Sequence, residues 1–304
     1  MTGYRLATLQ TPGGRRAAAI AGELSYDVAG LVGDEHYASV QNILDDWHNA
    51  HSRLEAAIRQ PQKSAVIPGA ATFLAPVPEP AVVYCAGANY RDHAQEMAKL
   101  AGKPPVDPRA DGARPWFFLK SPRAVVGPNA TLSVSRYGNQ IDWEAELVAV
   151  IGRKARNVSV ETALSYVAGY TCGNDISARD HVFRSEMPPG SPFWADWTRH
   201  KSFDDACPLG PWIVPASYVS APERLAIRLW VNDELKQDSN TEQMIFSIAE
   251  QIADLSGSIT LHPGDLIMTG TPAGVGVSRG QFLQPGDVIR VEIAEIGTLQ
   301  NRII

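Results

Sequence analysis

Residues 141–147 read Ile141-Asp142-Trp143-Glu144-Ala145-Glu146-Leu147. The acids fall on every second position, and alternate side chains of a β-strand point to the same face. Trp143, Ala145 and Leu147 take the opposite face and run into the apolar Val148-Ala149-Val150-Ile151. Residues 142–151 therefore read as one mostly buried strand with an acidic face. Same-face carboxylates two residues apart stand about 7 Å from each other. A buried, unpaired carboxylate costs several kcal/mol, so a positive group is expected over that face, and a hard divalent cation is the simplest one. The plain alternative is a solvated strand face. Two other segments weigh against it.

The first is Gly169-Tyr170-Thr171-Cys172-Gly173-Asn174-Asp175, followed by Ile176-Ser177-Ala178-Arg179-Asp180. A β-type run ends in Gly-Asn-Asp, which puts Asp175 near a strand end as a third carboxylate; taken alone, Asn-Asp is a common turn or cap pair. The second is Asn89-Tyr90-Arg91-Asp92-His93-Ala94-Gln95-Glu96-Met97, after the apolar run 81–86 and the turn-like Gly87. His93 and Glu96 are three apart and share a helix face. A His held by a carboxylate is the usual form of a general base that activates water; on an exposed turn the same pair is only a solvated ion pair.

Together these segments resemble the fumarylacetoacetate hydrolase family. The shared pattern runs in order through Asn89–Met97, Glu144–Leu147, Asp175–Asp180, Lys201-Ser202-Phe203-Asp204 and Thr269-Gly270-Thr271-Pro272-Ala273-Gly274-Val275-Gly276, across roughly residues 75–304. Each motif is weak by itself; five in order are specific. The resemblance implies a mixed, β-rich α/β fold of that family's β-sandwich roll type, with a small N-terminal α+β domain. It also implies a divalent metal on Glu144, Glu146 and Asp175. An all-oxygen donor set favours Mg²⁺ or Mn²⁺, with Ca²⁺ as the alternative, over zinc or copper. Some members add an aspartate ligand just before the histidine segment. Ala86 stands about there and cannot ligate, which leaves positions for water and substrate oxygens. Asp142, the outer acid, is expected to be a solvated or hydrogen-bonded neighbour.

The chemistry implied is that of a hydrolase acting on carbon–carbon bonds of an acylpyruvate or related 2,4-dioxo acid, in catabolism of aromatics or sugars. Its carboxylate and 2-oxo oxygen can chelate a metal, making the ketone an electron sink. His93, oriented by Glu96, takes a proton from water; hydroxide attacks the distal carbonyl, and pyruvate leaves as an enolate. By the same resemblance, Lys201 and Arg179 are candidates for the oxyanion or the substrate carboxylate. Gly270 and Thr271, in the glycine-rich loop, are candidates for binding carboxylate through the Thr hydroxyl and backbone N–H. The runner-up keeps the metal and the enolate but makes the protein a decarboxylase of oxaloacetate-like acids, an isomerase or a hydratase. A third reading is a non-catalytic small-molecule binding protein on the same scaffold.

Composition narrows the partners. The chain has 304 residues, 44% hydrophobic, enough for a substantial core, and a net charge of -6 with no long basic run. That argues against nucleic acid. No apolar stretch is long enough to span a bilayer, and the first residues lack the apolar core of a signal peptide. Cys85, Cys172 and Cys207 are odd in number and irregularly spaced, which fits a reducing cytoplasm rather than a disulfide framework. A homodimer is expected because relatives are commonly dimers.

Residues 1–75 read as a small separate unit: strands at Tyr4–Gln10 and Arg15–Ile20 around a Thr11–Gly14 turn, then a helix over Val40–Arg59. The boundary is expected within Pro61–Thr72, and 76–304 is the catalytic domain. There, strands are predicted at Ala81–Ala86, Trp116–Lys120, Asp142–Ile151, Val167–Cys172, Leu225–Val231, Leu266–Thr269 and Val288–Ile293. Helices are predicted at Ser159–Tyr166 and Thr241–Leu255, the latter capped by Thr241. Residues 98–115 are expected to flank a lid. The loop Ser185–His200 is expected to offer Phe193, Trp194 and Trp197 to a distal pocket.

Overall fold

The computed structural model describes residues 3–67 and 71–304; Met1, Thr2 and residues 68–70 of the expected boundary lie outside it. The architecture is mixed β-sheet with few helices. The larger sheet runs, in spatial order, Leu24–Asp27, Gly14–Ala21, Arg5–Thr11, Cys207–Pro215, Val167–Asn174, Ala145–Ile151, Leu266–Met268, Val83–Ala86, Phe117–Lys120. Its neighbours are antiparallel except Leu266–Met268 beside Val83–Ala86, which is parallel. The N-terminal strands are hydrogen-bonded into this sheet, with Leu6 opposite Ile213. A second, five-stranded sheet runs Glu234–Asn240, Ala226–Val231, Val288–Ile293, Gly297–Ile303, Thr131–Leu132.

The strand Ala145–Ile151 and its partner Val167–Asn174 are buried along their whole lengths. Both faces of the sheet centre are therefore covered, as their near-continuous apolar sequence requires. The expected strand 142–151 is in fact two. Ile141–Asp142 pairs with Ser177–Ala178, and pairing resumes with Ala145 opposite Asn174. At the break the Asn174 side chain takes the place of a ladder carbonyl, accepting from the Glu144 N–H at 3.0 Å, while the Asp175 N–H donates to the Glu144 carbonyl at 2.8 Å. The two acids thus face each other across a matched irregularity.

Other departures have equally local causes. The 40–59 helix is split into Val40–Asp45 and Trp47–Ile58 at Asp46, whose backbone is non-helical and whose carboxylate accepts from the Tyr37 hydroxyl at 2.6 Å. The second expected helix, Ser159–Tyr166, is an α-turn followed by a 3₁₀ turn. The third begins later than expected, spanning Ile248–Ser258. Ser247 and Glu250 form a reciprocal capping box there, whereas Thr241 accepts from the Leu225 N–H and donates to the Pro222 carbonyl. The segment ahead of that cap is a 3₁₀ turn, Thr241–Gln243, that does not continue into the helix, and the Ile245 and Phe246 N–H groups donate to Asn89 in the His93 region. Cys207–Pro215 is a central strand despite Pro208, Pro211 and Pro215, residues that argue against an interior strand; its ladder with Val167–Asn174 shifts register between Tyr170 and Cys172. All three cysteines are buried and free. Among the described residues no helix is long and apolar enough to cross a membrane.

Candidate active site

Glu144, Glu146 and Asp175 each bring a carboxylate oxygen within 4.8 Å of the others, and all three are buried. Burial raises Glu146 well above the ordinary carboxylate range, and the Asp175 and Glu144 charges push it further, against the Gly270 N–H at 2.7 Å and the charge of Lys201. Glu144 responds the other way. Burial opposes its ionisation too, but Lys201 and Arg179 outweigh it and hold it well below the usual range. Three hard oxygen donors converging in a dry site, one with no cation of its own, fit a divalent oxygen-seeking metal.

Three cations pack around the cluster. Lys201 Nζ donates to Glu144 at 2.9 Å and to Asp175 at 2.8 Å. Burial disfavours its charge, but Asp175 and Glu144 more than compensate and raise it. The Arg179 guanidinium donates to Glu144 at 2.6 Å and Asp142 at 2.8 Å. Lys120, which sequence reasoning passed over, has its Nζ 2.5 Å from Asp175 and 3.0 Å from the Ile176 carbonyl. Its signal was faint: one cation ending the aromatic strand Phe117–Lys120.

Asp142 is fully buried rather than solvated. It accepts from the Trp143, Gly276 and Val277 N–H groups and from Arg179. It therefore ties the glycine-rich loop to the acidic strand.

The helix Arg91–Leu100 presents His93, whose Nδ1 lies 3.5 Å from Glu96 with no closer partner. Glu96 itself is fixed by the Gly274 N–H at 3.0 Å and the Ser278 hydroxyl at 2.7 Å. Burial pushes its carboxyl up, but the His93, Ser278 and Gly274 contacts win and lower it. His93 is close enough to Glu144 for a proton on its ring to favour the ionised carboxylate. Asn89 holds the start of this helix, donating to the Thr269 and Phe246 carbonyls. In the loop, Thr271 Oγ1 accepts from Gln237, a residue no motif pointed to.

Outside the cluster the expected loop Ser185–His200 ends in a short helix, Trp197–Lys201, capped by Asp196. Trp197 joins an aromatic group with Trp116 (4.9 Å) and Phe118 (5.5 Å), and Lys201 Nζ lies 5.2 Å from the Phe118 ring centre. Phe183 and Trp194 stack on each other, and Phe193 is 66% exposed. The 98–115 segment is pinned to the helix Ile248–Ser258 by Arg109–Glu250 at 2.7 Å and Arg114–Asp254 at 2.5 Å.

A buried set of oxygen donors beside a His–Glu pair, on mixed β-sheets, has the chemistry to hold a hard divalent ion. The profile of the fumarylacetoacetate (FAA) hydrolase C-terminal domain matches residues 82–304. The chain belongs to the fumarylacetoacetate hydrolase family. It is 40% identical over 235 residues to the mitochondrial oxaloacetate tautomerase of Xenopus laevis, covering 77% of this chain and 68% of that one. A human mitochondrial oxaloacetate tautomerase is 39% identical, covering 77% and 69%. Among solved structures, a fumarylacetoacetate hydrolase from Exiguobacterium antarcticum superposes with TM-score 0.78 at 30% identity, covering 99% of both chains. Maleylpyruvate hydrolase from Sphingobium sp. SYK-6, in complex with manganese(II) and pyruvate, gives 0.74 at 30% identity, covering 99% of this chain and 98% of that one.

Proposed function

We propose that this protein is a divalent-metal-dependent hydrolase that cleaves a carbon–carbon bond in an acylpyruvate or related 2,4-dioxo acid. The observation that carries the reading is the His93–Glu96 pair standing beside the Glu144–Glu146–Asp175 cluster, with one glycine-rich loop touching both through Gly274 and Gly270. Mg²⁺ or Mn²⁺ held by the three carboxylates would supply Lewis-acid polarisation of the 2-oxo group. Glu96, lowered by its three partners, remains ionised at neutral pH and orients His93 to take a proton from water. The resulting hydroxide adds to the distal carbonyl; collapse of the oxyanion breaks the carbon–carbon bond, releasing a carboxylic acid and the enolate of pyruvate, which takes back the proton held by His93. Lys201 supplies positive charge where oxyanion character develops. Arg179 donates to Asp142 and Glu144 through two of its five N–H groups, so it holds the carboxylate set and keeps donors for the substrate carboxylate. The Gly270 N–H is spent on Glu146, which leaves the Thr271 hydroxyl for the substrate carboxylate.

A second reading is favoured by the tautomerases at 39–40% identity: keto–enol conversion of oxaloacetate, with His93 moving a proton between carbon and oxygen and no water consumed. Turnover on acetylpyruvate, fumarylpyruvate and oxaloacetate, with Mg²⁺ or Mn²⁺ and with EDTA, separates the two. Metal-dependent pyruvate plus acetate or fumarate is expected. Accelerated loss of enol oxaloacetate with no cleavage of the other two would replace the hydrolase by the tautomerase. CO₂ release from oxaloacetate would make it a decarboxylase.

A further inference from the structure

Gln237 lies on the strand Glu234–Asn240 of the second sheet, fully buried, and touches the site from behind. Its Oε1 accepts from the Ala145 N–H at 2.9 Å, between the two glutamates of the acidic strand. Its Nε2 donates to the Pro272 carbonyl at 2.8 Å and to Thr271 Oγ1 at 2.9 Å. A carboxamide can be turned either way round, and only its partners decide. Here a backbone donor stands at one end and a backbone acceptor at the other. The reversed amide would set oxygen against the Pro272 carbonyl and NH₂ against the Ala145 N–H, losing two buried hydrogen bonds. The orientation is therefore fixed by groups that cannot themselves change polarity.

The consequence falls on Thr271. A hydroxyl has one proton to give and two lone pairs. Its oxygen already accepts from Gln237, and among the described residues its own proton has no acceptor. Thr271 is 4% exposed, so an unused donor there is costly unless a ligand takes it. The loop is seated tightly on the Gln237 strand. Gly274 has φ +103°, and a Cβ there would fall 2.1 Å from the Lys236 carbonyl. The Thr271–Gln237 contact is thus part of a rigid bed.

We propose that Gln237 is a positioning residue that fixes Thr271 as a hydrogen-bond donor to the carboxylate of the bound 2-oxo acid. This rests on the 2-oxo acid reading above. Gln237→Glu keeps the shape and reverses the polarity. A glutamate facing Thr271 accepts the hydroxyl proton and withdraws it from the ligand.

The test is calorimetric binding of pyruvate to Mn²⁺-loaded protein, with Mn²⁺ affinity and Tm measured alongside. Thr271→Val and Gln237→Glu should each weaken pyruvate by about tenfold, the scale of one hydrogen bond to a charged group. Thr271→Ser should retain wild-type affinity. The double variant should bind no more weakly than Thr271→Val, and Mn²⁺ affinity should stay within twofold in Thr271→Val and in the uncharged Gln237→Met. If Gln237→Glu does not fold, Gln237→Met enters the same cycle and should show the same non-additivity. Additive losses, or equal losses of Mn²⁺ and pyruvate affinity, would leave Gln237 a purely structural residue. If wild type binds pyruvate and Thr271→Val binds it as well, this proposal fails while the 2-oxo acid reading stands. If Mn²⁺-loaded wild type binds no pyruvate, the reading itself fails and takes the proposal with it.

Discussion

In the N-terminal part of the molecule Arg16 bridges Asp27 at 2.7 Å and Glu35 at 3.2 Å, and Arg53 reaches Asp34 at 2.8 Å. At the sheet centre Lys120, Arg179 and Lys201 reach Asp142, Glu144 and Asp175 at distances between 2.5 and 2.9 Å. The distances hardly differ; the surroundings do. Glu35 is 80% exposed and Arg53 42%, whereas Lys120 and Asp142 are 0% exposed. Water screens the Arg16–Glu35 and Arg53–Asp34 pairs, so each contributes at most about 1 kcal/mol. In the dry centre any charge left alone costs several kcal/mol. The outer network is also closed, each acid having a cation. The inner one is not: Asp142, Glu144 and Asp175 each have a cationic partner, and among the described residues Glu146 has only a backbone N–H. The same ion-pair chemistry yields surface decoration in one region and a cation receptor in the other.

The sharpest way to break this contrast is to remove the receptor or its base. Glu146→Ala should abolish the Mn²⁺-induced rise in Tm and lower metal-dependent turnover by roughly 10³-fold or more. His93→Ala should lower kcat by about 10²–10⁴-fold, the usual contribution of a general base, with Mn²⁺ affinity unchanged. A parallel loss of Mn²⁺ affinity in His93→Ala would return that residue to a structural part.

Next in size is the inner ion pair. Lys120→Met leaves Asp175 with Lys201 alone and should cost about 3–5 kcal/mol in the metal-free protein, read by denaturant unfolding and partly recovered on adding Mn²⁺. A loss below about 1 kcal/mol would mean the centre is as well screened as the surface.

A pH series tests dryness from another side. Burial, with the Lys201 and Arg179 charges, pushes His200 down to about 3, and its Nδ1 is held 2.9 Å from the Ala178 carbonyl. The folded value lies below the unfolded one, so the unfolded chain binds the extra proton. Stability from this residue is complete above about pH 6.5 and is lost progressively as pH falls toward 3, with a limiting slope of about 1.4 kcal/mol per pH unit. His200→Asn should flatten the acid limb of the stability curve; an unchanged limb would show that His200 titrates normally. Smallest of all, Arg53→Ala should change stability by less than about 1 kcal/mol, and less still at high salt.

Sequence reading went furthest where function sits on regular spacing. The alternate acids Glu144 and Glu146 and the i, i+3 pair His93–Glu96 are legible in the spacing, and the structure brings them together, although the strand is broken between Asp142 and Ala145. It was weakest where a long-range partner overrides a local pattern. Asp46 ends a helix because Tyr37 reaches it, and the 241–247 segment leaves the expected helix because Asn89 needs its N–H groups. Nothing in the sequence marked Asp142 and Glu144 as partners of Arg179. Lys120 and Gln237 carried almost no signal, since a single Lys or Gln on a strand is ordinary until its neighbours from other strands are known.

The amino-acid order by itself determined which acids share a face, which His and Glu share a helix turn, and that hard oxygen donors, not thiolates, are on offer. Those are consequences of covalent spacing and side-chain chemistry. Tertiary structure alone decided that Glu144 and Glu146, two residues apart, are driven in opposite directions, because residues 201 and 179 bring their charges to Glu144 while Glu146 is buried beside Asp175 and Glu144. It decided too that Thr271 keeps a proton to give, because an amide from another sheet takes its lone pair. Charge balance and hydrogen-bond polarity in a buried site depend on what arrives from distant strands, and local sequence carries no record of that.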